Sequence, residues 1–118
     1  RVRADLAVQV MPAETPTNRQ VAQLVSAKDI SGGGMRIRTR VPFRADTTLR
    51  LHFDIPEFSK HPIQCFAVVV RCMKGGEGYD VAVAFEDLER EHRDAIMAYC
   101  FAKQREQMRH QVQVKNYD

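Results

Sequence analysis

No stretch of this sequence approaches the roughly 18 consecutive apolar residues of a helical membrane span, and no signal peptide opens the chain, so membrane insertion is not expected. Cysteine is scarce. Cys65, Cys72 and Cys100 are odd in number and show no CxxC spacing, which leaves neither a disulfide framework nor a thiol redox motif. Reduced thiols within a core are the expectation, and with them a cytoplasmic location. His52, His61, His92 and His110 are scattered and share no metal-ligand spacing with the cysteines, so no metal site is assigned. Each cysteine falls in a run that reads as buried, which argues against a Cys–His nucleophile pair. Asp54, Glu57, Glu86 and Asp87 lie at strand ends and the start of a helix, where solvated or capping roles are commoner than acid–base catalysis. No catalytic residue emerges, and a binding module is expected rather than an enzyme.

What is present is an ordinary globular mixture. The 118 residues are 44% hydrophobic and 28% charged, enough for one domain with a real core and no need of metal or disulfide staples. The net charge of +3 and pI near 8.9 hint at an anionic partner. Most of the 18 Lys+Arg are arginine, whose planar fork of donors suits phosphates and base edges and stacks on flat rings. The first residue is Arg1 rather than methionine, so the chain reads as a processed or excised piece, with an upstream domain expected.

Hydrophobic periodicity predicts short strands. Leu6, Val8 and Val10 alternate with Ala7 and Gln9; Met11 to Gln20 reads as a turn-rich connection; Val21 to Ile30 reads as a second strand, stopped by Ser31 and three glycines. Met35–Ile37–Thr39 interleaves with Arg36, Arg38 and Arg40. Thr47 to Phe53 alternates again. Ile63 to Met73 is the most apolar run, and Val68–Val69–Val70 reads as a strand buried on both faces. Within it Arg71 is expected to find a carboxylate partner. Gly75, Gly76 and Gly78 form a hairpin turn into Tyr79–Phe85. About six strands at short spacing indicate a barrel or a sandwich. From Leu88 to about His110 there is neither glycine nor proline, and Leu88, His92, Ala95, Ile96, Tyr99 and Cys100 share one helical face. Asp87 is the expected N-cap, and the tail after Gln111 returns to Val–Gln alternation.

The chemistry concentrates in Asp29–Ile30–Ser31–Gly32–Gly33–Gly34. Glycines permit positive backbone angles and leave amide groups open to a closely approaching ligand. Asp29 can accept from two N–H donors at once, as carboxylates do from a guanidinium or a guanine edge. Ser31 adds a hydroxyl. No Gly-Lys-Ser/Thr follows, so this is not a Walker loop, and a Gly-rich loop alone is compatible with a plain turn.

Asp29, Ser31 and Gly34, with Gly33 completing a common variant, match the Asp/Asn-x-Ser-x-x-Gly motif of the PilZ domain, and the chain resembles that family of bacterial cyclic di-GMP receptors throughout. Val70–Arg71 before a hairpin and Phe85 before the helix resemble its later landmarks. The resemblance implies a mainly β fold, a six-stranded antiparallel β-barrel related to split barrels (about residues 3–86) followed by a C-terminal α-helix (about 88–110). The family also carries an Arg-x-x-x-Arg motif before its first strand. Here Arg1, followed by Val2 and Arg3, stands where the second motif arginine is usual, and the first would lie upstream of residue 1. The resemblance thus implies cyclic di-GMP as ligand, bound by Arg1, Arg3, Asp29, Ser31, Gly33 and Gly34, with Arg36 and Arg71 as further candidates. Arg1 and Arg3 would pair with phosphate and stack on guanine, and Asp29 would accept from the guanine N1–H and exocyclic amine. No cofactor is implied.

The long helix with Tyr99–Cys100–Phe101 is similar to the C-terminal part of flagellar-brake (YcgR-like) receptors, which implies regulation of motility and a protein partner such as a flagellar motor component. Two other readings stay open: a PilZ-like interaction domain that does not bind the nucleotide, and a nucleic-acid-binding barrel using Arg36, Arg38 and Arg40. Single-strand platforms interleave cations with exposed aromatics, and this arginine strand has none, so no nucleic-acid polymer is expected.

Overall fold

A computed structural model describes residues 1–13 and 22–116, with side chains as far as residue 109. Six strands precede one helix: β1 (Val2–Pro12), β2 (Gln23–Ser31), β3 (Gly34–Thr39), β4 (Thr48–Phe53), β5 (Ile63–Gly75), β6 (Gly78–Glu86) and α1 (Arg90–Asn116). The strands close in the order β1-β2-β3-β6-β5-β4, every neighbouring pair antiparallel, because β1 pairs with β4 as well as with β2. The expected six-stranded barrel followed by a helix is therefore what the chain forms. Met11 and Pro12, read as the start of a connection, still pair with Arg50 and Leu49 as part of β1. Val21 and most of the expected turn-rich connection lie outside the described residues.

Alternation decides what fills the barrel. Val8 and Val10, Met35 and Ile37, Leu49, Leu51 and Phe53, and Val81 and Val83 all turn inward and are buried. The apolar run of β5 behaves the same way, against the expectation of burial on both faces: Val69 is buried, while Val70 is 61% exposed. A barrel strand has one interior face, and among the described residues no second layer covers Val70 on its outside. Arg71, expected to need a buried partner, is exposed and needs none.

Three register shifts interrupt the ladders: one falls between Arg3 and Leu6 of β1 against β2, and two more reposition charged residues. Between β2 and β3 the register passes from Ala27↔Ile37 to Asp29↔Arg36, so Lys28 is one residue extra. That extra residue lets both Ala27 and Ile30 face inward and leaves Asp29 with Arg36 on the outer wall. Between β5 and β6 the step from Val69↔Val83 to Arg71↔Ala82 makes Val70 the extra residue and turns Arg71 outward beside Ala82.

The two tight turns use glycine differently. In the β5–β6 hairpin, Gly75 pairs with Gly78 across a two-residue loop, and Gly76 has φ 60°, a conformation glycine adopts without steric cost. In the β2–β3 turn no glycine has a left-handed φ, contrary to the reason expected for the triplet. Close approach governs Gly34 instead, since a Cβ there would overlap the Val83 carbonyl oxygen of β6. The Phe85 amide donates to the Gly33 carbonyl at 2.9 Å, tying the turn to the same strand.

Helix α1 covers one end of the barrel. Ala95, Ile96, Tyr99 and Cys100 are buried, as their shared face predicts, and Leu88 is buried just before the helix. Tyr99 meets Phe58 edge-on at 5.9 Å between centroids. Asp87 is not the N-cap: it has φ 47° and lies outside the helix, whose first described bond runs from the Arg93 amide to the Glu89 carbonyl at 2.9 Å. The helix also continues through the Val–Gln segment to Asn116.

Gly34→Ala should lower unfolding stability by about 1–3 kcal/mol in chemical denaturation, the usual cost of forcing atoms into a packed backbone contact. Gly33→Ala, whose Cβ would meet only the Ser31 hydroxyl at 4.0 Å, should change stability by less than about 0.5 kcal/mol.

Candidate functional site

Register across the outer wall assembles the charges that the sequence keeps far apart. Arg3 of β1 pairs with Asp29 of β2, Asp29 with Arg36 of β3, Arg36 with Ala82 of β6, and Ala82 with Arg71 of β5. Cross-strand partners point to the same side of a sheet, so one row reads Arg3–Asp29–Arg36–Ala82–Arg71. Two strand spacings separate the last two arginines, roughly 10 Å between backbones. Gly34 and Ala84, paired in the adjacent row, leave the wall low beside Arg36.

Asp29 is the electrostatic centre. It is only 8% exposed, and a carboxylate so withdrawn from water needs cations or donors facing it. The Arg36 Nε–H donates to Oδ2 at 2.9 Å. Arg1 Nε stands 3.4 Å from Oδ1, an ionic contact without hydrogen-bond geometry, so Oδ1 remains a buried acceptor with no hydrogen bond among the described residues. Both guanidiniums are about half exposed, which screens each pair and leaves donors facing solvent.

The turn lies directly beside this cluster. Ser31 Oγ accepts from the Gly33 amide at 3.3 Å and donates to the Gly34 carbonyl at 3.4 Å. The hydroxyl thus braces its own turn. Gly33 is exposed and Gly34 buried. Arg3 is exposed, and its carbonyl accepts from Gln107 Nε2 of α1 at 3.4 Å. Of the residues singled out from sequence, Arg1, Asp29 and Arg36 meet through side chains, Ser31, Gly33 and Gly34 adjoin them through the turn, and Arg3 shares their row. Arg71 stands apart, beyond Ala82.

The remaining arginines of β3 separate by role. Arg38 forms an ion pair with Asp80 at 3.3 Å and donates to the Gly75 carbonyl, clamping the β5–β6 hairpin. Arg40 lies past the end of β3 and is exposed. An open groove of about 1520 Å³ runs past Asp5, Leu24, Lys28, Arg38 and Arg40, but its lining includes neither Asp29 nor the glycine turn. The sequence ties Arg36 to the site only weakly, and Gln107 and Met97, the α1 side chains that reach this region, not at all. The signal for Arg36 was its position two residues after Gly34; the helix residues carry none, since only folding brings α1 to β1 and β2.

Two of the thiols are ill suited to nucleophilic chemistry. Burial raises the Cys65 thiol from its ordinary 9.0 to about 11, and burial also pushes Cys100 upward, its Sγ–H donating to the Ile30 carbonyl at 3.7 Å. Cys65 and Cys72 are half-buried rather than fully enclosed, and all three are free. Among the described residues no three His, Cys, Asp or Glu side chains gather as metal ligands, and no helix is long and apolar enough to cross a membrane. At pH 8 alkylation of Cys65 in the folded chain should be roughly a hundredfold slower than in the unfolded chain, as followed by mass spectrometry. Because the fold favours the neutral thiol, the stability it contributes is complete below pH 9.0 and is lost as pH rises toward 11.

Comparisons with known proteins agree with the barrel-and-helix fold. No curated protein matches the chain. Among solved structures, the Bacillus subtilis inhibitor of motility (MotI/DgrA) superposes with a TM-score of 0.70 at 27% identity, over 87% of this chain and 49% of that one. The chain thus spans about half the length of that protein. The PilZ domain model matches residues 1–102, which include all six strands, the Asp29–Gly34 turn and the buried part of α1. The chain belongs to the PilZ domain family.

Proposed function

We propose that this PilZ domain is a receptor for cyclic di-GMP and acts by binding, not by catalysis. The carrying observation is the Asp29 carboxylate, held between Arg1 and Arg36 beside the Ser31–Gly34 turn, with Oδ1 lacking a hydrogen bond. A guanine edge presents two adjacent N–H donors, which a fixed carboxylate accepts side by side. The ligand's phosphates match the exposed donors of Arg1 and Arg36, with Arg3 in the same row, and a guanidinium plane also stacks on guanine. Ser31 and the exposed Gly33 supply short polar contacts at the turn, and Gly34 keeps the wall low enough for approach. Arg71 lies in line for the far side of a ligand of this size.

Arg1 immediately precedes β1, so in this reading ligand binding orders the entry to that strand and draws an upstream part of the protein toward the barrel. A second arginine four positions before Arg1 would complete the family's first motif. The likeness to a motility inhibitor supports control of flagellar motility through a motor component, in the cytoplasm where the nucleotide signals.

Calorimetry with cyclic di-GMP tests this on residues 1–118 and on the same domain carrying its native preceding residues. Saturable binding at tens of micromolar or tighter is expected for the longer form. Asp29→Ala or Arg1→Ala should each weaken it by at least about tenfold, the loss expected of a charge-assisted contact. No binding by either form would remove the receptor reading and favour an interaction domain. Binding unaffected by both substitutions would move the site elsewhere.

A further inference from the structure

Three contacts of α1 end on the backbone of the two arms that flank Asp29. The Cys100 thiol donates to the carbonyl of Ile30, between Asp29 and Ser31. Met97 lies against the turn so closely that a Cβ on Gly32 would stand 2.6 Å from its sulfur. Gln107 Nε2 donates to the carbonyl of Arg3. Spacings of three and seven residues bring Met97, Cys100 and Gln107 to one side of a helix. Ala95, Ile96 and Tyr99, together with Cys100, supply the core contacts that seat the helix on the barrel end, whereas Met97 and Gln107 are only half-buried.

We propose that Met97, Cys100 and Gln107 are positioning residues of the nucleotide site, and that occupation of the site is coupled to the seating of α1; this rests on the receptor reading above. A turn with three consecutive glycines has much conformational freedom to lose when a ligand fixes it. On one side the Phe85 amide restrains it through the Gly33 carbonyl. On the other, Met97 blocks Gly32 and Cys100 holds Ile30. With Met97 in place, part of the ordering is complete before the ligand arrives, which lowers the free energy that binding must supply. Coupling is reciprocal, so a ligand that stills the turn also tightens α1 on the barrel. The Arg3–Gln107 contact extends the same link to the arginine arm. The thiol is a weak donor, which makes Met97 the contact with the larger expected effect.

The test uses the ligand-binding form of the protein with Met97→Ala and Met97→Leu. Hydrogen exchange at Ser31–Gly34 is measured without ligand, and cyclic di-GMP affinity by calorimetry. Met97→Ala should speed turn exchange and weaken affinity, each by about fivefold or more, while exchange in the rest of β3 from Met35 onward and in β6 stays unchanged. Met97→Leu, which refills the space, should restore both, a rescue that general loosening of the fold would not give. Cyclic di-GMP should also slow exchange along residues 97–107 of the parent chain. If Met97→Ala disturbs the fold, Gln107→Ala supplies the same measurement at the Arg3 arm. Parent-like turn exchange and affinity in Met97→Ala, with the parent binding normally, would overturn the coupling alone. Failure of the parent to bind cyclic di-GMP would overturn the receptor reading and this inference together.

Discussion

Antiparallel closure of β1 onto β4 is the constraint on which the rest of the molecule depends. Backbone N–H and C=O groups along a strand need partners on both sides, and a ring supplies them without leaving an edge. A ring of six strands encloses a narrow interior, filled by Val8, Val10, Met35, Ile37, Leu49, Leu51, Val69, Val81 and Val83. It also leaves an open end, which Ile96, Tyr99 and Cys100 of α1 cover from one side. A binding surface then has to lie on the outer wall or at that capped end, and the proposed site lies where the two meet.

The bulge at Lys28 makes that arrangement possible. Without the extra residue, alternation from Ala27 would turn Asp29 into an apolar barrel, where an unpaired carboxylate is prohibitively costly. With it, Ile30 enters the core and Asp29 joins Arg36 and Arg3 outside. The same two-residue turn has to pass within contact distance of β6, so Gly34 is required by the Val83 carbonyl and not by its backbone angle. A single stretch of six residues thus closes a hairpin, seals part of the wall and presents the carboxylate. Packing alone demands a small residue at Gly34, and the proposed ligand contact would demand the same.

Charge on the wall is shared between holding the fold and facing solvent. Arg38 is committed to the β5–β6 hairpin through Asp80 and Gly75. Arg36 and Arg1 are anchored at Asp29 yet keep about half their surface in water. An anchored arginine with free donors is preorganised for an anion, since little side-chain freedom remains to be lost on binding. Helix α1 adds the opposite support, from beneath the turn. Burial raises the Cys65 and Cys100 thiols above their ordinary range, so neither is primed as a nucleophile.

Period and punctuation in the sequence were enough for the six strands, the change to a helix near residue 88 and the loop of interest, because inward–outward alternation and glycine placement are local properties. The Asp29, Ser31 and Gly34 spacing was legible for the same reason. What was not legible depended on partners distant in the chain. The exposure of Val70 and Arg71 follows from a bulge defined only against Val83 and Ala82. The failure of Asp87 to cap the helix follows from how the chain leaves β6. Which arginine holds Asp29 was set by strand register, and the reach of Met97 and Gln107 to the turn and to Arg3 by where α1 docks. The sequence by itself determined which chemical groups stand ready and on which elements. Only the tertiary structure decided which of them meet, because side-chain contacts across a closed barrel are made between residues whose separation in the chain carries no local signal.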